Sequence, residues 1–164
     1  MKQKPGNHVP TRHAAPPGTP AAVVGRQTSK VRDMSPEFQP VFARLRAVLK
    51  RHAGSLTVGQ DTASHYSLEA RAGPATLRAW GGKVKRRAMP VAWVQIGKAY
   101  VSYHLMGVYC NPKLLERCSQ QLKARMQGKS CFNFKAVDEP LFEELERLTA
   151  DSLTGMRKAG YIPE

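Results

Sequence analysis

The stretch PVAWVQIGKAYVSYHLM, Pro90 to Met106, decides the fold. Its first and last thirds alternate apolar and polar side chains, the period of a half-buried strand, and Gly97-Lys98 stands between them as a turn. A two-residue turn there predicts a β-hairpin with Ile96 opposite Ala99, Val94 opposite Val101 and Ala92 opposite Tyr103. Those residues share an apolar face. The other face carries Trp93, Gln95, Tyr100, Ser102 and His104.

Upstream, SHYSLEAR alternates Tyr66, Leu68 and Ala70 with His65, Ser67, Glu69 and Arg71. The Gly73-Pro74 pair breaks it, and ATLRAW reads as a further strand. In phase with the hairpin, His65, Ser67, Glu69, Arg78 and Trp80 join the face of Trp93. The expectation is a sheet with one oily face for helices and one face of mixed aromatic and polar groups.

The helices to cover it flank this region. In SPEFQPVFARLRAVLKRHAG, Ser35 is a good N-cap and Pro36 suits the first helical position. Phe38, Val41, Phe42, Leu45, Val48 and Leu49 recur at helical spacing, and Gly54 stops the run. After the hairpin, Asn111 and Pro112 open a helix over PKLLERCSQQLKARM, with Leu114, Leu115, Cys118 and Leu122 inward and Gly128 as its stop. SCFNF is a short strand that turns Phe132 or Phe134 to the core. Asp138 caps a last helix with Leu141, Leu145, Leu148 and Leu153 inward, Gly155 weakening it and Gly160 ending it. The fold class is therefore α+β: an antiparallel sheet with helices packed on one face, an N-terminal helix and two C-terminal helices.

The 164 residues fit one domain and a tail. Residues 1–33 lack apolar periodicity, are rich in Pro and basic residues, and read as a disordered basic arm; residues 34–164 form the domain. No run of about 18 apolar residues is present to span a bilayer. Prolines 10, 16, 17 and 20 interrupt any leader-like stretch, so a cytoplasmic location is expected. The odd set Cys110, Cys118 and Cys131 has neither disulfide nor zinc-ribbon spacing and reads as reduced thiols. With no cofactor or metal pattern and no apolar span, the expected particle is a monomer or weak homo-oligomer.

The formal net charge of +14 suggests an anionic partner such as nucleic acid, or serves solubility. Residues 34–137 hold 17 basic against 4 acidic side chains, whereas residues 138–164 hold 3 against 7. The densest cluster is GGKVKRR, where Lys83, Lys85, Arg86 and Arg87 fall between Trp80 and Trp93. Interleaved cations and rings can hold single-stranded nucleic acid, cations on phosphates and rings on bases; a solvated loop has the same composition.

Other chemistry is sparser. MQGKS, Met126 to Ser130, ends like a phosphate-binding loop. But Lys123 stands where the first glycine is needed, and the order helix–glycine–strand is the reverse of that motif. A metal site drawn from His65, His104, Cys110, Cys118 and Cys131 lacks paired spacings. Glu69, His104 and Tyr100 are the one trio with acid–base character, and they equally suit a surface hydrogen-bonding strip. The leading expectation is a binding module without catalysis, with Trp93, Tyr100, His104 and Glu69 as the ligand face for a small molecule or protein.

Three stretches together carry a resemblance: VQIGKAYVSYHLMGVY, NPKLLERCSQQLKARMQGKSCFNF and DEPLFEELERLT resemble the bacterial YdhG-like family, a small α+β domain of unknown function. The likeness spans about residues 36–160. Some members are similar to frataxin in shape and have been called iron chaperones. The resemblance thus implies iron handling as a further alternative, for which this chain offers Asp138, Glu139, Glu143, Glu144 and Glu146. It implies no catalytic residue.

Overall fold

The computed structural model describes residues 36–82 and 88–163. The basic arm, the Ser35 cap and the cluster Lys83 to Arg87 lie outside them. A 3₁₀ turn at Pro36–Phe38 leads into α1 (Gln39–Arg51). Then come β1 (Thr57–Asp61), β2 (His65–Arg71), α2 (Pro74–Ala79), β3 (Ala88–Ile96), β4 (Val101–Leu105) and α3 (Met106–Cys110). A 3₁₀ segment (Pro112–Arg117), α4 (Gln120–Lys123), β5 (Met126–Gln127), β6 (Cys131–Phe134) and α5 (Glu139–Lys158) complete the chain.

The six strands form one sheet in the order β1-β2-β3-β4-β6-β5, every pair antiparallel. The alternation does what its period requires. Tyr66, Leu68, Met89, Ala92, Val94, Val101, Tyr103, Leu105, Phe132 and Phe134 are buried on one face. There α1 contributes Val41, Phe42, Leu45, Val48 and Leu49. α5 contributes Leu141, Phe142, Leu145, Leu148, Leu153 and Met156. Phe134 meets Phe142 edge-on with centroids 5.0 Å apart, and Tyr103 hydroxyl lies 2.8 Å from Thr149 Oγ1, which fixes α5 against this face. Arg46 and Lys50 of α1 stand over the Tyr66 ring, at 5.4 and 5.9 Å. The architecture is α+β with helices on one face of an antiparallel sheet, as the sequence predicts.

Four local readings are corrected. ATLRAW is not a strand: Pro74 sits in the first turn of α2, where its missing N–H costs nothing, and Gly73 is its extended N-cap. Arg78 and Trp80 therefore leave the sheet. Trp80 caps the helix C-terminus and is 48% exposed.

The hairpin pairs Ile96 with Val101, Val94 with Tyr103 and Ala92 with Leu105, so its loop has four residues, Gly97 to Tyr100. A two-residue hairpin turn needs a positive φ at its first central residue, which Gly97 does not adopt. The partner shifts by two places, an even number, and so both faces keep their residues.

The helix expected over residues 112–126 is broken. Cys118 and Ser119 are extended, and Ser119 Oγ accepts from Leu122 N to start α4 afresh. Glu144 reaches from α5 to accept from both Ser119 N (2.5 Å) and Ser119 Oγ (2.7 Å).

Finally, Gly128, at φ +76°, turns the β5–β6 hairpin rather than stopping a helix. β1 and α3 are elements that strand and helix periodicity leave unmarked.

Candidate binding face

The side chains opposite the core form a row across all six strands. In register these are Gln60, Ser67, Trp93, His104, Cys131 and Gln127, one from each strand. A parallel row holds His65, Gln95, Ser102 and Asn133. At the row's centre the Trp93 and His104 rings stack, with centroids 4.4 Å apart and planes 9° from parallel. They are cross-strand neighbours, close enough for rings to meet.

On the β6 side the polar groups bond one another. Ser102 Oγ donates to Asn133 Oδ1 (3.0 Å), and Asn133 Nδ2 donates to Gln127 Oε1 (2.9 Å). Tyr100, in the hairpin loop, donates its hydroxyl to the same Gln127 oxygen at 3.0 Å. Cys131 Sγ lies 3.5 Å from His104 Nε2 and 3.3 Å from Asn133 Oδ1. On the other side Ser67 Oγ accepts from Gln60 N at 2.9 Å. Glu69 lies across Gly59, where its Cγ would be 2.7 Å from a Cβ. β1 bulges at that glycine. Trp93 and His104 are thus brought into contact; Tyr100 is linked to them only through Gln127, Asn133 and Cys131, and Glu69 lies two residues along β2 from Ser67, the strand partner of Trp93.

Burial disfavours the charged forms of the two imidazoles and the Cys131 thiol on this face. Burial, and secondarily His65 nearby, lowers the His104 pKa, and burial lowers that of His65. Burial raises the Cys131 thiol. An imidazole beside a protonated thiol is a hydrogen-bonding pair, not an activated nucleophile, which requires a lowered thiol pKa.

Arg71, the last residue of β2, is exposed and pairs with Ala88, the residue that follows the Lys83–Arg87 cluster in sequence. Lys129, in the β5–β6 turn beside Leu105, sets its ammonium 5.5 Å from the Tyr109 ring.

Three acidic residues of α5, and Asp138 before it, have basic or hydrogen-bonding partners. Glu139 pairs with Arg44, Glu146 with Arg51 and Asp138 with Arg125 (3.3 Å), while Glu144 holds Ser119. Among the described residues no three His, Cys, Asp or Glu gather as a metal site. Nor is any helix among them long and apolar enough to cross a membrane. The four cavities found lie away from Trp93, Tyr100, His104 and Glu69.

Cys131 and Asn133 follow from the alternation of CFNF, since Phe132 and Phe134 both face the core. Gln127 and Gln60 do not, because their strands carry too little pattern to be recognised. No family model matches the chain, and neither a curated protein nor a solved structure does.

Proposed function

We propose that this protein is a non-catalytic binding module that works through the helix-free face of its sheet, and that its partner is single-stranded nucleic acid. The observation that carries this reading is the Trp93–His104 stack at the centre of a six-strand row of uncharged polar side chains. A base has an aromatic face to lie on there and neutral donors and acceptors around it. The backbone phosphates then meet Arg71, which pairs with Ala88, the residue that follows Lys83, Lys85, Arg86 and Arg87 in sequence. The overall charge of +14 supports the same partner.

A small ligand is less well served, since the cavities lie elsewhere. Iron handling is less well served too, since Asp138, Glu139, Glu144 and Glu146 have other partners. The YdhG-like assignment is likewise proposed, on the residue pattern and on an element order of helix, sheet, short strand and last helix.

Fluorescence anisotropy with a labelled oligothymidylate tests the reading. Affinity is expected to fall steeply with salt. Trp93→Ala is expected to weaken binding about tenfold, the lower part of the range for losing one base stack. Binding that ignores salt, or that survives Trp93→Ala unchanged, refutes it.

A further inference from the structure

A second site lies on the helix side, apart from the sheet face. Two cavities follow one side of α5. The larger, about 470 Å³, is lined by Leu114, Arg117, Cys118, Arg147 and Asp151 among others. The smaller, about 210 Å³, is lined by Gly107, Cys110, Ser152, Gly155 and Met156 among others. Leu114 borders both. The α5 positions 144, 147, 148 and 151 give way to 152, 155, 156 and 159, the spacing of one continuous helix side.

Two features at this groove are unspent. First, Arg117 and Arg147 form no ion pair among the described residues. Glu144, which shares the wall, is turned to Ser119, so two guanidinium groups share the lining with one uncommitted carboxylate, Asp151. Second, Gly155 leaves the wall open: a Cβ there would meet nothing within 4 Å. Glycine is a poor residue for the interior of a 20-residue helix, so some other demand holds this space clear.

We infer that this groove binds an organic monocarboxylate with an extended apolar body. Arg117 and Arg147 hold the carboxylate. The apolar body runs past Leu114 toward Met156, along the opening that Gly155 leaves. The volumes fit a ligand of that kind.

Decanoate, below its micelle concentration, is the probe, with 1-decanol as its neutral counterpart, both titrated by calorimetry into the full chain. Decanoate is expected to bind at least tenfold more tightly than decanol. Arg117→Gln with Arg147→Gln removes that advantage, and Asp151→Asn increases it. Gly155→Leu, which projects into unoccupied space, abolishes binding of both while the melting temperature does not fall. Equal affinities for acid and alcohol, no binding of either, or undiminished binding to the Gly155→Leu protein each overturns the proposal. None of these outcomes bears on nucleic-acid binding at the sheet face.

Discussion

Tyr103 illustrates how individual side chains set both stability and chemistry here. It is fully buried, and burial pushes its phenol far above the ordinary tyrosine value. Thr149 Oγ1 donates to Leu145 O at 2.7 Å, so the Tyr103 hydroxyl is the donor to Thr149. The two ends of this pair are unequal. Tyr103→Phe leaves Thr149 still bonded and should cost about 1 kcal/mol. Thr149→Val strands a buried phenol and should cost about 2–3 kcal/mol. Urea unfolding of both variants checks the order; equal losses would show the bond to be immaterial.

The histidines give a second expectation at this scale. His52, His65 and His104 all have pKa values lowered from 6.5, with burial the largest cause in each. Below pH 6.5 the unfolded chain therefore takes up protons that the folded chain refuses. Their stability contribution is complete above that pH and is lost as pH falls through the folded values. The thiols have the opposite sign: burial raises Cys110, Cys118 and Cys131 from 9.0, so stability falls as pH rises past that value. A melting-temperature plateau from about pH 6.5 to 9 is expected, with an acid limb that becomes shallower in His104→Gln. A flat profile down to pH 5.5 would contradict this assignment.

At the scale of elements, two glycines on facing helices have opposite reasons to exist. Gly107 of α3 packs against α5 so closely that a Cβ would stand 2.8 Å from the Ser152 carbonyl oxygen. Gly107→Ala is expected to cost about 1–3 kcal/mol by overpacking. Gly155 has open space instead, and Gly155→Ala is expected to stabilise α5 by about 1 kcal/mol. Denaturant midpoints at unchanged slope would show both; two changes of the same sign would refute the contrast.

Elements were legible in the sequence where periodicity was long. α1, α5 and the β3–β4 hairpin each carry enough apolar residues at one period to declare their type and inward face. Shorter ones failed where local chemistry outweighed composition. Pro74 after a glycine turned a strand-like run into α2, and the Ser119–Glu144 bond divided a continuous apolar stripe between a 3₁₀ segment and α4. β1 was hidden because all five of its residues are exposed, leaving no alternation to read. The centre of the candidate face, Trp93 and His104, was legible because both belong to the best-patterned strands. The alternation of CFNF puts Asn133 on that face, but its meeting with Gln127 depends on strand order, which no local pattern contains.

For the whole molecule, the division of labour follows the sheet. One face and two long helices make the core, and among the described residues the other face carries no helix. On the helix side Glu139 and Glu146 are tied to Arg44 and Arg51, and Asp138 to Arg125, while Arg71 ends β2 opposite Ala88 at the start of β3. The most direct test of this arrangement is an amide chemical-shift titration of the isotope-labelled chain with oligothymidylate. Perturbations concentrated at His65 to Glu69, Trp93 to Gln95, Ser102 to His104 and Cys131 to Asn133 are expected. Perturbations confined to α1 and α5, or none at low salt, would contradict a sheet-face nucleic-acid site.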